Sequence, residues 1–273
     1  MCGDRLTRQY SVGPRFAEAV ETAEQLRRRN VSAMIGQMSP LSANNRDMQV
    51  SEYSQALAAM SSLNLNCAIV TFLASSESLM ARPMREAVES ILYEAVRAGT
   101  VLFIDMPADR ITNPSIECLT RLSRTPGCAG HVGVTLYPDL YRTHYDLQRL
   151  AEEPILVRLS THQYLEAVRE ISTSPKEARA NFMDVVAHAF NCCESPIAFQ
   201  TNDSRLVGDI IRYLKKKAIP AGACEFHVTL GIRPELEEQL AKDGWRVRVF
   251  LPFGDSVYSY LIRAFLHNFG SAV

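Results

Sequence analysis

Short runs of β-branched and aliphatic residues recur along this chain, and between them apolar side chains return every three or four positions. Phe16, Val20, Ala23 and Leu26 keep helical spacing and predict a leading amphipathic helix that ends in Arg27–Arg29. Strands are predicted over Val31–Gly36, Asn66–Leu73, Val101–Pro107, from His131, over Pro154–Leu159 and Pro196–Asp203, from Glu225 and from Arg246. Helices are predicted over Tyr53–Leu63, Arg85–Ala98, Pro114–Leu122, His144–Leu150 and Glu177–Cys192, then from a Ser204 cap to Lys217, and over Arg233–Lys242. The eighth apolar run stops at Pro252 and Gly254, and Asp255 or Ser256 caps a last helix that carries Tyr260 and Arg263.

Eight strands alternating with eight helices, after one spare helix, point to parallel pairing with both sheet faces covered. Such units fit a closed (β/α)8 barrel as a single α/β domain over residues 1–273, with 1–30 as a leading segment and helix and 31–273 as the barrel. An open doubly wound sheet is the rival, but no glycine-rich phosphate loop follows any of the strands.

Composition narrows the chemistry. With 29 Lys and Arg against 30 Asp and Glu, the net charge is −1, and no basic stripe is present for a nucleic acid or an anionic membrane. The densest basic run, Lys215–Lys217, falls at a predicted helix end, where cations oppose the negative end of the dipole. Seven cysteines, most inside apolar elements (Cys67, Cys118, Cys192, Cys193), read as buried thiols in a reducing compartment, and their spacing does not suit a metal. No run approaches the roughly 20 apolar residues that span a bilayer, and the N-terminus lacks a signal-peptide core, so a cytoplasmic location without membrane insertion is expected.

Barrel sites form at the carboxyl ends of the strands. The polar residues expected there are Asp105, Tyr137, Arg158, the Gln200–Asp203 run with Thr201 and Asn202, His227, and Arg263 from the last helix. They suit an anionic ligand together with a planar heterocycle that takes edge-on hydrogen bonds. Arg263 reads either as a carboxylate grip or as a helix-surface arginine, and His227 either as a ligand or as an interior histidine with its bonds met. The last helix carries more than one apolar stripe, through Tyr258, Leu261, Ile262, Phe265 and Phe269. Either the barrel and the leading helix consume it, or part of it packs on another copy of the chain as a homo-oligomer contact.

The segment EFHVTLGIRPELEEQLAKDGWRVRVFLPFGDSVYSYLIRAFLHN, Glu225–Asn268, resembles the carboxyl-terminal half of the proline dehydrogenase family. Upstream, the resemblance continues through FIDM at Asp105, YRTHYDL from Tyr141, VRL at Val157–Leu159, EARANF from Glu177 and QTND at Gln200–Asp203. It implies a (β/α)8 barrel that uses FAD. It also implies that Asp105 belongs to the active-site network, that Arg158 and Thr201 touch the flavin, and that Arg263 binds a substrate carboxylate. Gln200, Asn202 and His227 fall at further cofactor positions, and Tyr137, Phe250, Tyr260 and Ala264 in the substrate pocket.

Several positions depart from the family pattern. The second arginine of its helix motif is Ala264, its strand-eight tyrosine is Phe250, and its closing glutamate is His267. A second-strand lysine falls on Val70, the lysine after strand five on Thr161, and three more positions hold Tyr137, Asn202 and His227 in place of glutamine, histidine and glutamine. One lost arginine of a carboxylate clamp removes roughly 1.5–3 kcal/mol of charge-assisted contact. The expectation is therefore a flavin-dependent oxidoreductase acting on a C–N or N–N bond of a small nitrogen-containing substrate other than proline, such as an amine, imino acid or hydrazine. Lys176 or Arg179 is then within reach of a flavin phosphate, and the rewritten pocket suits biosynthesis. The alternative is a catalytically silent barrel that binds a ligand or partner.

Overall fold

The computed structural model describes residues 12–74, 79–106, 111–161 and 174–254. Eight strands, β1 (Ser32–Gln37), β2 (Cys67–Phe72), β3 (Leu102–Asp105), β4 (Val132–Leu136), β5 (Ile155–Ser160), β6 (Ile197–Gln200), β7 (Cys224–Thr229) and β8 (Val247–Phe253), pair in chain order, and β8 closes back on β1. Every pairing is parallel, so the barrel expected from the alternating pattern is the fold observed. Around it lie α1 (Phe16–Arg28), α2 (Arg46–Ser62), α3 (Arg82–Arg97), α4 (Asn113–Ser123), α5 (Thr143–Leu150), α6 (Pro175–Cys192), α7 (Ser204–Lys216) and α8 (Pro234–Lys242). The helix expected after Asp255 lies outside the described residues.

Alternation along each strand divides the apolar side chains into two cores. One set, including Ile35, Ile69, Ile104, Val134, Phe199 and Val249, faces the helices and forms the large outer core. The other set, including Met34, Ala68, Val70, Phe72, Phe103 and Phe250, fills the lumen. Two glycines make room there. A Cβ on Gly133 would sit 2.4 Å from the Phe103 ring, and one on Gly36 would sit 2.6 Å from Val70 and 2.8 Å from Phe250.

Several expected element bounds need correction, these four for a local reason. Helix α2 starts at Arg46, well before Tyr53, because polar contacts build its first turns: Asn45 Oδ1 accepts from the Ser42 amide at 2.8 Å, and buried Gln49 donates to the Ser39 carbonyl at 2.8 Å. Helix α7 is capped by Asp203, whose carboxylate accepts from the Arg205 and Leu206 amides at 2.8 and 3.3 Å, and Ser204 is its first residue. Strand β6 ends at Gln200, since Asn202 turns to bond Thr229. Strand β8 runs through Pro252 to Phe253. Pro252 lies past the last β7–β8 pair at Phe250, so its missing N–H costs no ladder bond.

The leading helix α1 packs against β1 and β8, with the Phe16 ring edge-on to Phe253 at 5.8 Å. Cys67, Cys118, Cys128 and Cys224 are free and buried, whereas Cys192 and Cys193 at the end of α6 are free thiols only partly buried against the outer core, where full burial was expected.

Candidate functional site

The lumen has two chemically different walls. Strands β8, β1 and β2 present Phe250, Met34, Val70 and Phe72, with Met38 just past β1, while β3 to β7 present most of the polar groups and β8 adds Arg248. This division follows from strand alternation, because Asp105, Thr135, Arg158, Gln200 and His227 occupy inward positions on consecutive strands.

Arg158 on β5 is the centre of the polar wall and is 1% exposed. Its Nη2 donates to Asp105 Oδ2 at 3.1 Å, its Nε to Thr135 Oγ1 at 2.8 Å, and its Nη1 approaches the Met34 sulfur at 2.9 Å. The guanidinium also lies 5.1 Å from the centre of the Phe103 ring, in cation–π contact. Tyr137 completes the cluster, its hydroxyl donating to Asp105 Oδ1 at 2.8 Å. Asp105 at the end of β3 thus binds a cation with one oxygen and a phenol with the other, and the three groups form one buried network.

A second cluster sits on β7 and β8. Arg248 grips Glu225 with two parallel bonds, Nε to Oε2 at 2.9 Å and Nη2 to Oε1 at 3.1 Å, and gives its Nη1 to the Ala33 carbonyl at 2.8 Å. His227 Nε2 lies 2.9 Å from Glu225 Oε2. Burial works to raise the Glu225 carboxyl, but the charge of Arg248 and the bonds from His227 and Arg248 outweigh it and hold the carboxyl well below the usual range. Burial pushes His227 down to about 4 despite the pull of Glu225, so the imidazole is neutral at pH 7. Among the described residues, two buried polar atoms of this wall have no hydrogen-bond partner, His227 Nδ1 and Gln200 Oε1, from residues directly paired across β6 and β7.

The remaining candidates divide by location. Thr201 is buried, its hydroxyl accepting from the Asp203 amide at 3.1 Å, and Asn202 Oδ1 accepts from the Thr229 amide at 3.1 Å while its Nδ2 donates to Thr229 Oγ1 at 3.4 Å. Phe250 is buried in the apolar wall, edge-on to Phe72 at 6.2 Å. Arg179 approaches Asp203 Oδ2 at 3.5 Å, and Lys176 is exposed. Arg263, Tyr260, Ala264 and His267 lie outside the described residues. Glu225 and Arg248 were not foreseen, although EFHVT and RVRVF each carry a signal: polar residues at alternate positions inside strands that otherwise read as apolar on both faces. Among the described residues no group of three or more His, Cys, Asp and Glu could hold a metal ion, and no helix is long and apolar enough to cross a membrane.

No family model matches the chain. A proline dehydrogenase of Deinococcus radiodurans is 30% identical over 173 residues, covering 63% of this chain and 55% of that protein. Proline dehydrogenase 1 of Bacillus subtilis is 24% identical, covering 96% of this chain and 86% of its own length. Among solved structures, proline utilization A from Bdellovibrio bacteriovorus inactivated by N-propargylglycine superposes with a TM-score of 0.83 at 16% identity, over 96% of this chain and 32% of that one. The chain therefore spans about half of the first relative and a third of that larger protein. Both of these relatives are named for proline.

Proposed function

From a chain that is a divergent relative of the proline dehydrogenases, we propose a flavin-dependent oxidoreductase that oxidises the C–N bond of a small amine or imino acid. The observation that carries this reading is the polar wall of the lumen, where buried Arg158 shares the wall with two buried acceptors, Gln200 Oε1 and His227 Nδ1, that have no hydrogen-bond partner among the described residues. Those groups fit a flavin, whose ring offers carbonyl and nitrogen acceptors to a guanidinium and an N–H donor to bare acceptors. Arg158, Thr201, Gln200 and His227 would hold the ring, and bound FAD would supply the hydride acceptor. Asp105 fixes both the Arg158 guanidinium and the Tyr137 hydroxyl, so these two donors keep their places before any ligand enters. Arg263 would take a substrate carboxylate, with Tyr260 and Ala264 beside it on the same segment.

Proline is the substrate that the relatives' names indicate. A smaller or less polar substrate is the second reading, favoured by buried Val70 and Phe250, which make the β8–β1–β2 wall apolar where the resemblance implies a lysine and a tyrosine. Purified protein mixed with FAD, desalted and scanned in the visible range tests the cofactor. Anaerobic addition of proline, then of smaller amines and hydrazines, tests the substrate. Flavin bands that persist and bleach support the enzyme; bands that persist and bleach with none of these compounds leave a silent binding barrel. Loss of the flavin on desalting at micromolar protein refutes the cofactor.

A further inference from the structure

Within the lumen the Arg248–Glu225–His227 chain ends on an unpartnered atom. Arg248 holds the Glu225 carboxylate with two bonds, and Arg is a donor at all working pH values. The carboxylate, held ionised by this grip, can only accept. His227 Nε2, 2.9 Å from Oε2, must therefore carry the ring proton, which leaves Nδ1 as a bare lone pair. That lone pair is buried without a partner, and so is Gln200 Oε1 on the directly paired residue of the next strand. His227 is 1% and Gln200 7% exposed, and the imidazole is wedged edge-on against Phe103 at 5.8 Å, so the ring does not turn freely. Two acceptors on directly paired residues of adjacent strands favour an N–H donor and disfavour a carbonyl edge.

Resting on the flavin reading above, we propose that Glu225, anchored by Arg248, is a positioning residue that sets the His227 tautomer so that Nδ1 and Gln200 Oε1 together receive the ring N–H of the flavin. Glu225 lies 12% exposed at its side chain and would touch the flavin only through His227. In the Glu225→Gln variant the carboxamide can donate to Nε2, which moves the ring proton to Nδ1 and turns an acceptor into a donor facing another donor.

Two measurements separate this role from simple packing. Long-range ¹H–¹⁵N correlation of the ligand-free protein at pH 7 reads the His227 tautomer directly, with His227→Gln assigning the signal. The wild type is expected to show protonated Nε2 and bare Nδ1, and Glu225→Gln the reverse. Fluorescence titration with FAD is expected to show about tenfold weaker binding for Glu225→Gln, the loss of roughly one hydrogen bond. Glu225→Gln leaves Arg248 beside a neutral amide, so Gln200→Met is measured too; it removes the neighbouring acceptor without touching a charge and is expected to weaken FAD binding by a similar factor. A wild-type His227 with Nδ1 protonated, or FAD affinity unchanged in both variants, overturns the positioning role alone. No FAD binding by the wild type overturns the flavin reading and the positioning role with it.

Discussion

Arg158→Met is the perturbation that most sharply tests the central network. Methionine keeps most of the length and apolar volume of the stem, so the change isolates the guanidinium. The lost contacts are the 3.1 Å ion pair to Asp105, the 2.8 Å bond to Thr135 and the cation–π contact with Phe103. Arg158 and Asp105 have side chains 1% and 8% exposed, so the carboxylate left behind cannot be compensated by water. Removing one partner of a buried ion pair costs about 3–5 kcal/mol, and the same reasoning gives a similar loss for Asp105→Asn, which strands the guanidinium. In the double variant neither charge is stranded, and the carboxamide oxygen introduced by Asp105→Asn still accepts from Tyr137. The two losses are therefore expected to fall short of additive by about 2 kcal/mol. Urea unfolding of the ligand-free protein, followed by fluorescence of the single tryptophan, Trp245, which packs edge-on to Phe226 at 5.6 Å, reads each apparent stability. Single losses that add to within about 0.5 kcal/mol would refute a coupled pair.

His227 makes stability depend on pH. Its folded value near 4 lies below its ordinary 6.5, so the unfolded chain binds the extra proton between these values, and stability is complete above about 6.5 and lost as pH falls toward 4. That gap, 6.5 less about 4, corresponds to about 3 kcal/mol, with Glu225, Arg248 and Arg158 the charged groups acting on the ring. Urea midpoints at pH 7 and pH 5 should differ less in His227→Gln than in wild type, and an identical difference sinks the assignment. Glu225, held below its ordinary 4.5, adds a further loss in the same direction as pH falls below that value. Gly133→Ala would place a methyl 2.4 Å from the Phe103 ring, which contacts both Arg158 and His227, at an overpacking cost of about 1–3 kcal/mol. A thermal melt unchanged from wild type would show that this part of the lumen is looser than described.

The barrel was legible because its strands are short, apolar on both faces and separated by helices, a pattern that only a covered parallel sheet satisfies. Asp105, Arg158 and Tyr137 were legible as site residues because each ends or nearly ends a strand, yet their mutual bonding was not, since it joins positions 32 and 53 apart in sequence. Helix α2 began earlier than its apolar period because Gln49 and Asn45 hold the first turns through polar contacts, which periodicity does not register. Ser204 reads as the cap in the sequence, but serine and aspartate both cap helices, and only the backbone decides that Asp203 stands outside the first turn. Glu225 and Arg248 escaped notice for a different reason. Each sits beside apolar neighbours in a strand read as buried, where a lone charge is strongly destabilising; only cross-strand pairing makes both tolerable.

That pairing also bears on what the pocket can bind. The described lumen holds two cations, Arg158 and Arg248, and two anions, Asp105 and Glu225, with His227 neutral. Each charge is already opposed by a partner at 3.1 Å or less, so the lumen offers an incoming anion little net field. The position at which the resemblance implies a lysine is Val70, buried among Met34, Phe72 and Phe250. A substrate carboxylate would then depend for its charge on the segment after β8, where Arg263 stands and Ala264 replaces a second arginine. On the proposed reading the polar wall suits a neutral planar ring, and among the described residues both lumenal guanidinium groups are already opposed by carboxylates.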